Sequence, residues 1–170
     1  LLKRGISSVE EAKKFLYPSL TDMHDPFLLP DMEKAIRRIE QAIGNKERIL
    51  IYGDYDVDGT TAVSLVYKFL RKITNNIDYY IPDRYDEGYG ISIQGIDYAV
   101  ETGVKLIISL DCGIKAVKKV AYAKEHGIDF IICDHHMPDE QLPDAVAVVD
   151  AKREDSGVRT EVRRLLFLVV

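Results

Sequence analysis

The sequence predicts an α/β sandwich built on a parallel sheet. Three observations lead there. Short apolar runs alternate with longer segments of helical periodicity, the runs lack polar alternation, and acidic and imidazole side chains collect where the runs end. Leu106-Ile107-Ile108 and Phe130-Ile131-Ile132 are the clearest such runs, and unbroken apolar character is what a strand covered on both faces requires. With 170 residues, 46% hydrophobic and 30% charged, the chain is sized for one ordinary core.

The elements follow in order. Ser8 with Glu11 three residues later forms a capping-box signature, which predicts a short leading helix from Ser8 to Phe15. Tyr17 to Pro30, with Pro18, Pro26 and Pro30, reads as a linker. Met32, Ala35, Ile36, Ile39, Ala42 and Ile43 recur at helical spacing after Asp31, and Gly44 stops the helix, whose apolar stripe should pack on a sheet. Strands are expected at Arg48 to Tyr52, Ile77 to Ile81, Lys105 to Leu110, Asp129 to Cys133 and Ala145 to Val149. Helices are expected between them at Thr60 to Ile73, Ile93 to Thr102 and Ala116 to His126. The chain thus divides into a helical segment and linker (1–45), an α/β domain (46–152) and a tail of different character (153–170).

Composition excludes several classes. A net charge of -5 argues against a stand-alone nucleic-acid clamp, because phosphate contacts call for a basic surface. Cys112 and Cys133 have no metal-site or disulfide spacing, and there is no secretory leader pattern, so a reducing cytoplasmic setting is expected. Both thiols are read as small buried residues beneath a site. No run approaches the roughly 18 apolar residues of a membrane span. The chain opens on Leu1 rather than Met, which reads as a fragment at that end.

The chemistry collects at the ends of strands, where ligands bind in open α/β sheets. After the first strand stands Gly53-Asp54-Tyr55-Asp56-Val57-Asp58-Gly59, three carboxylates two residues apart between glycines that would let the backbone turn tightly. On an extended segment such alternate side chains converge on one side. Asp111-Cys112-Gly113 follows the third strand and Asp134-His135-His136 the fourth. Taken singly, Asp111 would pass as a helix cap and the histidines as ordinary surface or core residues. Taken together, they bring several anions to one rim, a cluster tolerated chiefly when a cation neutralises it.

Mixed carboxylate and imidazole donors suit a borderline ion such as Mn2+ better than a thiolate-loving one, and two such ions would polarise a phosphodiester and generate a hydroxide at neutral pH. A calcium loop is disfavoured, because Leu65 and Val66 stand where its closing Glu belongs. The segment Pro82 to Gly90 rises from the same rim. There Arg84 is a candidate for a bidentate phosphate contact, and Tyr85 and Tyr89 for stacking on a base. A solvated turn with aromatic padding is the plain alternative.

These residues resemble the DHH family of metal-dependent phosphoesterases. Asp54-Tyr55-Asp56-Val57-Asp58-Gly59 is similar to its first motif, Asp111-Cys112-Gly113 to its second, and Asp134-His135-His136 to the signature that names it. Thr60-Thr61-Ala62, Tyr80-Ile81-Pro82 to Arg84 and Glu87-Gly88-Tyr89-Gly90 resemble the family's single-stranded-DNA-specific exonucleases rather than its pyrophosphatases or small-nucleotide phosphodiesterases.

The resemblance covers about Ile6 to Lys152. It implies metal ligation by Asp56, Asp58, Asp111 and His135, with Asp54 and His136 as further ligands or orienting groups of the same catalytic set. The candidate substrate contacts are Arg84, Tyr85, Tyr89, Gly90 and His136. It also implies Mn2+- or Mg2+-dependent hydrolysis of single-stranded DNA from the 5′ end, a role in recombination and repair, and single-strand-binding protein as a partner. A further family Asp, well beyond the third motif, would lie past Val170. The tail from Ser156 departs from the family's usual continuation and reads as a truncation or frameshift, with Leu165 to Val170 exposing an apolar end. Two rival readings keep the fold: a phosphodiesterase of short oligonucleotides or cyclic dinucleotides, and a non-catalytic DNA-replication scaffold. The Tyr80 to Gly90 segment speaks against the first, and retention of every visible motif ligand against the second.

Overall fold

Five parallel strands form the sheet of the computed structural model, which describes residues 1–19, 21 and 25–156. Beyond the leading helix α1 (Val9–Leu16), the chain runs α2 (Met32–Gly44), β1 (Arg48–Gly53), α3 (Val57–Leu70), β2 (Ile77–Tyr80), α4 (Ile93–Glu101), β3 (Val104–Leu110), α5 (Val117–Glu125), β4 (Asp129–Cys133) and β5 (Ala147–Val149). The spatial order is β2-β1-β3-β4-β5, so the strand order reverses between β1 and β3. That reversal opens a crevice at the carboxyl ends of those two neighbours.

Both faces of the sheet are covered, as the unalternating apolar runs require. On one face Leu50, Tyr52, Ile107, Phe130, Ile132 and Val148 meet Ile96 and Ala99 of α4 and Val120 and Ala123 of α5. On the other, Ile49, Ile51, Leu106, Ile108, Ile131 and Ala147 meet Ala35 and Ala42 of α2 and Ala62, Val63 and Leu70 of α3. Alternate residues of each strand therefore feed opposite layers, and truncating one of the fully buried isoleucines to Ala would cost about 2–5 kcal/mol.

The α1 capping box is complete. Ser8 Oγ accepts from Glu11 N–H at 3.1 Å, and Glu11 Oε2 accepts from Ser8 N–H at 3.0 Å. No residue of α1 is buried, whereas α2 is built into the core. Its Arg38 reaches Glu47 at 2.6 Å and Asp129 at 2.7 Å. Helices α1 and α2 thus differ in kind.

Three differences from expectation have local causes. Helix α3 starts at Val57 rather than Thr60, because the Asp56 carboxylate caps it by accepting from Gly59 N–H at 2.9 Å. Strand β5 starts at Ala147, because Ala145 N–H turns back to Pro143 O at 2.8 Å. The start of the expected tail is anchored. Arg153 is 8% exposed, donates to Asp31 at 2.6 Å and forms a fork with both oxygens of Asp155. Residues 157–170, where the expectation of an apolar end falls, lie outside the described residues.

Candidate metal centre

The first motif is shaped by how closely α3 approaches the end of β1. A Cβ on Gly59 would stand 2.5 Å from Asp54 O, and one on Gly53 would collide with the Val63 side chain. Neither glycine lies in the left-handed region, so what they supply is close approach rather than the tight turn expected of them. Asp54 is fully buried at the end of β1, accepting from Tyr55 N–H at 2.7 Å and from Gly90 N–H at 3.0 Å. Burial, with Asp56 adding to it, raises its carboxyl above the ordinary range against those two hydrogen bonds. Asp56 is the cap of α3 and Asp58 sits in its first turn, both exposed. The three carboxylates therefore stand on a strand end, a cap and a helix turn, not along one extended segment.

Asp111 follows β3 in the left-handed region, φ 62°, a conformation that short polar side chains tolerate best. It is 2% exposed, its N–H is held by Cys133 O at 2.9 Å, and its Oδ1 lies 2.8 Å from His135 Nε2. Burial first, and then the charge of Asp56, push its carboxyl up to about 6, against the pull of His135 and His136. Donor atoms of Asp111, His135 and His136 all lie within 4.8 Å of one another. One buried oxygen and two imidazole nitrogens at that spacing fit a divalent cation of borderline character, whose charge would remove the penalty on Asp111.

Asp134 holds the histidines in place. Its Oδ1 accepts from the His135 and His136 N–H groups at 2.7 and 3.0 Å and pairs with His136 Nδ1 at 2.7 Å, while Oδ2 accepts from Ile114 N–H at 2.9 Å. Burial opposes ionisation, but the Ile114 and His136 hydrogen bonds outweigh it and hold this carboxyl below the usual range. A carboxylate behind an imidazole fixes the ring's orientation and raises its basicity. Asp134 was visible in the sequence as part of a motif but not as the brace of the histidines, although its place directly after a strand and before two histidines was the available signal.

The segment between β2 and α4 folds over the rim. Tyr52 donates to Gly90 O at 3.1 Å, Ser92 N–H donates back to Tyr52 Oη at 3.0 Å, and Glu87 ties together Ser92 Oγ and Tyr80 Oη. Tyr89 is thereby set edge-on to both Tyr55, at 5.8 Å, and His136, at 6.3 Å, and Arg84 lies over the Tyr55 ring at 5.4 Å. Burial and the charges of Asp54, Asp56 and Asp111 push the Tyr89 hydroxyl well up, which places it beside the acidic group. Tyr85 is 92% exposed and stands apart from this aromatic row. Gly90 spends its N–H on Asp54 rather than on an incoming group. Neither Tyr52, Ser92 nor Glu87 was singled out from the sequence, since nothing local marks a strand tyrosine as a loop anchor.

Cys112 is buried among core residues, as expected of a small filler, whereas Cys133 is a partly buried residue packed against the other layer. Burial pushes the Cys133 thiol up to about 12 and that of Cys112 well above its ordinary value, so neither offers a thiolate.

The model of the DHH family, N-terminal domain, matches residues 48–167. The chain belongs to the DHH family. Its match runs from β1 through all three motifs and on into the segment expected to depart from the family. The single-stranded-DNA-specific exonuclease RecJ of Bacillus subtilis is 46% identical over 153 residues, 90% of this chain and 20% of that protein. RecJ of Escherichia coli is 35% identical, over 89% of this chain and 26% of its own length. The chain therefore spans a fifth to a quarter of these curated relatives. Among solved structures, exonuclease RecJ bound to manganese superposes with a TM-score of 0.73 at 27% identity, covering 82% of this chain and 35% of that one. RecJ from Thermus thermophilus in complex with Mn2+ gives 0.69 at 26% identity, covering 91% and 21%. Among the described residues no helix is long and apolar enough to cross a membrane.

Proposed function

We propose that this chain carries the divalent-cation centre of a single-stranded-DNA exonuclease that hydrolyses phosphodiester bonds from the 5′ end. The observation that carries the reading is the convergence of Asp111, His135 and His136 from two adjacent strand ends beside the β1/β3 crevice, with Asp54 and Asp56 beside them. The Mn2+-bound RecJ structures that share the fold support it.

Cations bound here would supply Lewis acidity, polarising the phosphodiester and lowering the pKa of the attacking water. In this reading Asp54, Asp56, Asp58, Asp111 and His135 hold two Mn2+ or Mg2+ ions, and His136, braced by Asp134, orients the scissile phosphate. Arg84 neutralises a backbone phosphate, and the row of Tyr55, Tyr89 and His136 offers faces and edges to a terminal base. Residues 46–152 form the catalytic unit, carried on the 1–45 helical segment, and the acidic balance means that the basic grip on the strand lies elsewhere in the protein. A cytoplasmic setting in recombination and repair, with single-strand-binding protein as partner, follows from the same reading.

The test is digestion of 5′- and 3′-labelled single strands with Mn2+, beside a panel of dinucleotides and cyclic dinucleotides. Release of 5′-mononucleotides from the 5′ end is expected. Preference for the small substrates would overturn the assignment, and strand binding without hydrolysis would favour a scaffold.

A further inference from the structure

Asp150 directly follows strand β5 and belongs to none of the three motifs. It is 1% exposed; its Oδ1 accepts from Lys152 N–H at 2.6 Å, but its Oδ2 is buried with no hydrogen-bond partner. The β4–β5 ladder pairs Cys133 with Val149, and Asp134 N–H donates to Val149 O at 3.1 Å, so Asp150 stands next to Asp134 at the same rim. It is close enough to feel the charges of both Asp134 and His135. A buried carboxylate oxygen without a donor is destabilising, and a second carboxylate beside it makes the placement worse. Asp134 meets the same surroundings with four hydrogen bonds, whereas Asp150 leaves one buried oxygen without a donor.

We propose that Asp150 is a positioning carboxylate of the cation centre, its open Oδ2 completed by a hydrogen-bond donor that the hydrated cation brings. The inference rests on the metal reading above. It makes β5 the fourth strand end, after β1, β3 and β4, to contribute to the rim. Asp150 shapes the field and the hydration of the ion without replacing any motif ligand.

Calorimetric Mn2+ titration of the 170-residue chain, of Asp150→Asn and of Asp111→Ala tests it, with a metal-free thermal melt of each. The Asn side chain keeps an oxygen for Lys152 N–H. The expected result is Mn2+ binding weakened about tenfold in Asp150→Asn with an unchanged or higher metal-free melting temperature, and abolished in Asp111→Ala. Binding by Asp150→Asn within twofold of the wild type, with Asp111→Ala still abolishing it, would overturn the role of Asp150 and leave the metal centre standing. No Mn2+ uptake by the folded wild-type chain would overturn both. If the Asn variant melts early, Asp150→Ser, which also offers an oxygen to Lys152 N–H, is read against the same twofold limit.

Discussion

The two ends of the same sheet handle charge in opposite ways. At the amino ends of the strands, Arg38 is shared between Glu47 and Asp129, Arg48 pairs with Asp78 at 3.1 Å and donates to Thr102 O, and Asn76 reaches Lys46 O. These residues border an open cavity of about 500 Å³ lined by Lys46, Arg48, Asn75, Asn76 and Lys105 among others. The C-termini of α2, α3 and α4 point to this end, and cations there complement the helix dipoles. Ion pairs and hydrogen bonds within the fold take up most of the charge at that edge, although Nη1 of Arg38 is buried without a hydrogen-bond partner. At the carboxyl ends, Asp54, Asp111, Asp134 and Asp150 are all buried, and like charges are brought together. Opposite charges paired in place are architecture; like charges gathered at structural cost are held for something that binds.

Substitutions at the two ends should therefore separate stability from function. The largest effect belongs to Asp111→Ala, which should reduce Mn2+-dependent hydrolysis more than about a hundredfold while the metal-free chain stays folded. Steady-state digestion of a labelled strand, with a thermal melt alongside, checks it. At the other end, Arg38→Met should cost about 2 kcal/mol, seen in urea unfolding, because it strands two carboxylates, and should leave Mn2+ affinity unchanged. Next in size, Tyr89→Ala should weaken single-strand binding about tenfold in a fluorescence titration, with the Mn2+ affinity retained.

The smallest effect is a pH dependence. Burial, then the charge of Asp134, raise the Asp150 carboxyl to about 6 against its hydrogen bond from Lys152. A folded-state value above the unfolded one means that the fold binds the proton more tightly. The stability cost of ionised Asp150 is therefore absent below about pH 4, grows through the window up to about 6, and is complete above it. Metal-free Asp150→Asn should accordingly match the wild-type melting temperature at about pH 4 and exceed it by about 2–4 °C at about pH 7.

How much of this was legible in the sequence follows from how local each signal is. The parallel sheet was readable because burial on both faces leaves unbroken apolar runs, and Leu106 to Ile108 and Phe130 to Ile132 do lie in β3 and β4. The strand-end motifs were readable because ligand sites of such sheets sit there. The start of α3 was not. Asp56 looked like one of three equivalent carboxylates, and only the tertiary approach of Gly59 to Asp54 reveals it as a cap. Asp150, Arg153 and the Tyr52–Ser92–Glu87 tie were invisible for a related reason. Each takes its role from a partner distant in sequence, such as Asp31 for Arg153, and a lone Asp or Arg after a strand carries no mark of that.

The central claim is that the carboxyl-end rim is a divalent-cation site, and the most direct test is the metal-free and Mn2+-loaded melting temperature of the wild-type chain beside Asp111→Asn. The account predicts a rise with Mn2+ in the wild type of several degrees, following the concentration of ion, and none in the variant. An equal rise in both, or none in a folded wild-type chain, would contradict it.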